Sequence, residues 1–96
     1  MNQLRVRVPQ PADLGFVIEL YYKKLEIGNA DIMKLFNLKS QPTARKLKRL
    51  ARERMDEEDI KVWDERAVNT AAAYEAWGLD IADLERRLAK LQKLGH

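Results

Sequence analysis

Cysteine is absent from the 96 residues, which rules out disulfides and thiolate chemistry and removes the usual ligands of structural zinc. Histidine occurs once, as the terminal His96. There is no glycine-rich phosphate loop, no nucleophile beside a base and no ligand pair at metal spacing. Paired acids do occur, but neighbours in sequence point apart on a helix and form no acid–base couple. No catalysis, cofactor or small-molecule substrate is therefore expected. Nothing approaches the roughly 18–20 consecutive apolar residues that cross a bilayer. The opening Met1-Asn2-Gln3-Leu4-Arg5 lacks the apolar core of a signal peptide. A cytoplasmic chain with no membrane partner is the expectation.

What remains is ordinary material for one small folded domain, residues 1–96, with 46% apolar and 34% charged residues. The net charge of +3 conceals an uneven distribution. Between Lys39 and Arg54 lie seven cations (Lys39, Arg45, Lys46, Lys48, Arg49, Arg52 and Arg54) against the single acid Glu53. The rest of the chain is net acidic, so one short stretch carries a localised positive footprint.

The hydropathy pattern predicts a mainly α fold. Leu4, Val6 and Val8 alternate with Arg5 and Arg7 and read as a short strand closed by Pro9 and Pro11. From Ala12 the apolar spacing becomes three and four: Leu14, Val17, Ile18, Tyr21, Tyr22 and Leu25 line one helical face, which Gly28 stops near Glu26 or Ile27. Asn29 is placed to cap a short helix over about Ala30–Phe36. Asn37 tolerates a left-handed turn, and Leu38 returns inward. Ser40 then caps a third helix with Pro42 in its first turn and an inner stripe of Ala44, Leu47, Leu50, Ala51 and Met55.

Four acids at the negative end of a helix are unfavourable, so Asp56–Asp59 reads as a loop or break. Its metal-binding alternative fails for want of the glycine and alternating ligands of a calcium loop. Ile60–Trp63 and Arg66–Val68 are strand-like and would make a small hairpin, although Asp64-Glu65 supplies no glycine or asparagine for its turn. Asn69 or Thr70 caps a helix from Ala71 to about Trp77, ended by Gly78. Asp80 caps a last amphipathic helix, Ile81–Leu94. The aromatic residues are assigned to packing, with Tyr22, beside Lys23 and Lys24, at an edge.

A short helix, a tight turn and a second helix with a basic outer face make a DNA-reading unit, here spanning about residues 29–54. Asn37 and Leu38 supply the turn and the apolar pin behind it. Ser40, Gln41 and Thr43 would face base edges. Lys39, Arg45, Lys46, Lys48, Arg49 and Arg52 would meet guanines or phosphates of double-stranded DNA. Residues 31–50 resemble the helix-turn-helix superfamily, most closely its small bacterial and phage regulators and excisionase-like proteins. The resemblance covers about a quarter of the chain, and the usual glycine of the turn is replaced by Asn37. It implies a transcription regulator reading the major groove. A hairpin at 60–68 would resemble the wing of winged members, with Lys61 and Arg66 as backbone contacts.

Ile81, Leu84, Leu88 and Leu91 admit two readings: the seam of a homodimer, or the inner face of a helix covering its own core. An alternative to the regulator is a phage-type packaging or assembly adaptor that oligomerises through this helix and binds DNA weakly.

Overall fold

The computed structural model describes residues 8–95. Its elements are α1 (Leu14–Lys23), β1 (Glu26–Ile27), α2 (Asn29–Leu35), α3 (Gln41–Glu57), β2 (Val68–Asn69), α4 (Thr70–Ala76) and α5 (Ile81–Leu94). The chain is mainly α, as its periodicity predicts. The Leu4–Val6 part of the expected first strand and His96 lie outside the described residues, while Val8 is in no strand.

Three helices end in the same way. After α2, α3 and α4 the chain passes through Asn37 (φ 52°), Asp59 (φ 55°) and Gly78 (φ 75°). The next amide then reaches back five residues: Leu38 N–H to Met33 O at 2.8 Å, Ile60 to Met55 at 2.8 Å, and Leu79 to Tyr74 at 2.8 Å. These are Schellman closures, in which a left-handed residue lets the orphan carbonyls of the last turn find donors. Each is followed by an apolar residue, and Leu38, Ile60 and Leu79 all pack on the core. The left-handed turn expected at Asn37 is therefore present.

Helix α4 is the hub. It is short, yet Thr70, Ala72, Ala73 and Tyr74 are all buried, and its main packing partner is α3. Two hydrogen bonds tie its end to distant elements: the Tyr74 hydroxyl donates to Val17 O at 2.7 Å, and the Trp77 indole Nε1–H donates to Leu47 O at 2.8 Å. Burial pushes the Tyr74 phenol well above its ordinary range, so it remains a neutral donor. Val17, Ile27, Ile32, Leu35, Leu47 and Val68 complete the centre of the core.

The structure corrects five local expectations. Helix α1 stops at Lys23 rather than near Glu26 or Ile27, because Glu26 and Ile27 pair antiparallel with Asn69 and Val68. Gly28, not Asn29, caps α2, with the Asp31 carboxylate accepting its N–H at 3.3 Å. Helix α3 continues through the acids to Glu57, with Arg54 3.8 Å from the Glu57 carboxylate and 3.7 Å from that of Glu58.

The hairpin at 60–68 does not form. Val68 takes Ile27 as its partner, and residues 60–67 are irregular. Without a residue suited to a primed turn, Asp64 instead closes a local one. Its carbonyl accepts from Ala67 N–H at 2.9 Å and its carboxylate from Arg66 N–H at 2.9 Å. Trp63, assigned above to packing, is 88% exposed. Among the described residues no helix is long and apolar enough to cross a membrane.

Candidate nucleic-acid interface

The geometry of α3 follows from its sequence period. At about 100° per residue, Ala44, Leu47, Ala51 and Met55 share one face, and all four are buried. The same rotation gathers Arg45, Lys48, Arg49 and Arg52 into a sector about 100° wide beside that face, with Lys46 and Glu53 next to it. Asp56 falls in the same sector one turn later and ends the basic stripe. From Gln41 to Arg52 the stripe is about 16 Å long. A helix of this size fits a major groove about 12 Å wide.

Ser40 stands at the N-cap in extended conformation, but its side chain does not cap the helix. Gln41, Lys39, Arg45, Lys46 and Arg49 are exposed, and Thr43 and Lys48 are half-buried. Among the described residues Lys39, Arg45, Lys46, Lys48 and Arg49 enter no salt bridge. Arg54, Arg66, Arg86 and Arg87 all do. Among the described residues the stripe thus has no carboxylate within salt-bridge distance, in a chain with many acids.

Two members of the expected set behave differently from the rest. Arg52 is turned onto the loop that follows α3, where its guanidinium donates to the carbonyls of Glu65 and, at 3.4 Å, Ala67. It therefore holds the loop rather than standing free. Lys48 lies against a cleft of about 560 Å³ lined by Gly28, Asn29, Asp64 and Arg66. Burial lowers the Lys48 pKa, the charges of Arg52 and Arg66 lower it further, and Asp64 partly offsets them.

The loop from Glu58 to Ala67 is held from a second side. The Glu26 carboxylate accepts from the amides of Trp63, at 2.6 Å, and Asp64, at 3.3 Å. This seating was not legible beforehand, since both anchors come from other elements. The signal that did exist was the charge around Trp63, which follows Lys61 at two residues and precedes Asp64-Glu65-Arg66.

The α5 stripe divides in two. Ile81 and Leu84 pack into the core and Leu88 is half-buried, whereas Leu91 is 54% and Leu94 82% exposed. Among the described residues no group of three or more His, Cys, Asp or Glu side chains is arranged to hold a metal ion. Comparison with protein-family models, curated proteins and solved structures finds no match to this chain.

Proposed function

We propose that this protein is a non-enzymatic DNA-binding regulator of the helix-turn-helix type, with α2 and α3 as the two helices and α3 entering the major groove. The observation that carries this reading is the set of five cations at the start and along the outer side of α3, none of which enters a salt bridge among the described residues. Cations left unpaired in a chain rich in acids suit a polyanion supplied from outside. In this reading Ser40, Gln41 and Thr43 meet base edges at the N-terminal end of α3. Arg45 and Arg49 reach guanine or phosphate, and Lys39, Lys46 and Lys48 neutralise the backbone. Arg52 positions the adjoining loop.

The experiment is a fluorescence-anisotropy titration with labelled random duplex DNA at two salt concentrations. Five phosphate contacts give a slope of log K against log salt of about −4.5. The double substitution Arg45→Ala/Arg49→Ala should weaken binding by roughly tenfold or more and make the slope shallower by about 2. Binding unaffected by the double substitution would remove α3 as the reading helix. No binding at low salt would remove the function.

A second reading keeps loose DNA binding but makes assembly the main role, as in a phage-type packaging adaptor. The uncovered end of α5, with Leu91 and Leu94 exposed, favours self-association in either reading.

A further inference from the structure

An exposed tryptophan on a small protein is unusual enough to ask what it meets. This chain has two, with opposite surroundings: Trp77 is 4% exposed and hydrogen-bonded, whereas Trp63 is 88% exposed. The loop backbone around Trp63 is held from both sides. Its amides at 63 and 64 are held by the Glu26 carboxylate, and its carbonyls at 65 and 67 by Arg52. Arg52 belongs to the same side of α3 as Arg45, Lys48 and Arg49, so the loop is fastened alongside the basic stripe. We propose that Trp63 is a DNA-contacting residue, displayed by this clamped loop so that its ring packs on the sugar–phosphate wall of the duplex that lies on α3.

The inference rests on the DNA-binding reading given above. It adds an apolar contact to a surface otherwise recognised by charge. Charge at the junction favours the same occupant. Lys48 of the helix shares one cleft with Arg66 of the loop; burial lowers the Lys48 pKa most, Arg52 and Arg66 add to it, and Asp64 opposes them. The loop is also rich in acids, but most are engaged locally. Asp59 is 3.8 Å from Lys61, Asp64 is 3.9 Å from Arg66, and the Glu26 carboxylate is held by two backbone amides. Glu65 alone enters no such contact through its carboxylate among the described residues. It should therefore oppose a neighbouring phosphate, while the neutral ring of Trp63 does not.

The test uses the intact chain and duplex DNA. Acrylamide, a neutral quencher, reaches Trp63 and not the buried Trp77, and the W63F protein supplies the Trp77 background. Adding random duplex DNA should lower the quenching of Trp63 several-fold. Trp63→Ala should weaken binding by roughly five- to tenfold, the loss expected when about 50 Å² of apolar ring surface is no longer buried, with an unchanged melting temperature because the ring is exposed. Glu65→Gln should strengthen binding. If DNA binds, and loses affinity on Arg45→Ala/Arg49→Ala, while Trp63 stays fully quenchable and Trp63→Ala binds as tightly as the parent, this inference is wrong and the role of α3 stands. If the parent binds no DNA, both fall.

Discussion

Thr70 is 2% exposed, and its Oγ1 finds no hydrogen-bond partner among the described residues. A buried hydroxyl loses its water on folding, and without a partner nothing offsets that cost. Thr70→Val keeps the branched shape and should stabilise the fold by about 1 kcal/mol. That corresponds to a rise in Tm of roughly 4–8 °C by calorimetry. A lower Tm would mean that the hydroxyl is satisfied. Glu58 offers a different single-residue test. A hydrogen bond with the Glu75 carboxyl raises its pKa first, followed by desolvation and the Glu75 charge, while Arg54 partly opposes them. A folded-state pKa above the unfolded value means that protonation favours the fold. That stability is full below the ordinary carboxylate range and is lost as pH rises through the folded-state pKa. Glu58→Gln should therefore be more stable than the parent at about pH 7, and the difference should shrink near pH 4. Urea midpoints at the two pH values decide it; a parent more stable at neutral pH would show the pair to be attractive.

At the scale of elements, the three Schellman closures show what turn chemistry can and cannot announce. Gly78 is the obvious residue for its turn, while Asn37 and Asp59 do the same work with a side chain present. The turn at Asn37 sets where α3 leaves α2, so it bears on the proposed DNA-reading unit as well as on stability. Asn37→Ala should destabilise by about 1 kcal/mol, because its Cβ lacks the local hydrogen bonding that helps asparagine into the left-handed region. Asn37→Gly should cost nothing or stabilise. Equal urea midpoints for all three chains would contradict this account. Asp59 was harder to foresee, because the run Asp56–Asp59 looks like a helix breaker when judged by the macrodipole alone. Arg54 changes the balance, lying within 4 Å of Glu57, Glu58 and, from α4, Glu75. A side chain one turn back and a neighbour on another helix together carry α3 two residues further than expected.

At the scale of the whole molecule, the open question is what covers the end of α5. Two heptads are too short for a stable coiled coil, and Ile81 and Leu84 are already used by the protomer's own core. A homodimer would have to be built from Leu88, Leu91 and Leu94, with Arg87, Lys90 and Lys93 around them. Like charges of this kind weaken a symmetric contact of these ends with themselves. Self-association through α5 should therefore strengthen with salt, the opposite of DNA binding. Leu91→Glu/Leu94→Glu should yield a monomer without lowering Tm. Sedimentation at low and high salt provides the check. A dimer favours the regulator, a larger ring favours the adaptor, and a mass unchanged by the double substitution excludes α5 as the contact.

The sequence by itself determined the helices and most of their ends. The period of α3, the capping of α5 by Asp80 and of α4 by one of Asn69 and Thr70, the left-handed turn at Asn37 and the clustering of cations on one stretch are local properties, carried by residues within a turn or two of each other. Tertiary structure alone decided the contacts between residues far apart in the chain. Ile27 leaves the helical pattern because Val68, forty-one positions later, offers both a buried apolar surface and backbone partners. The hairpin at 60–68 loses Val68 to that pairing. Arg52 is drawn onto the loop because the loop brings it two carbonyls, and Trp63 is exposed on a loop whose backbone Glu26 and Arg52 hold on either side. Periodicity records which face of an element is apolar. It does not record which partner arrives to cover that face, because that partner is chosen by the packing of the whole chain.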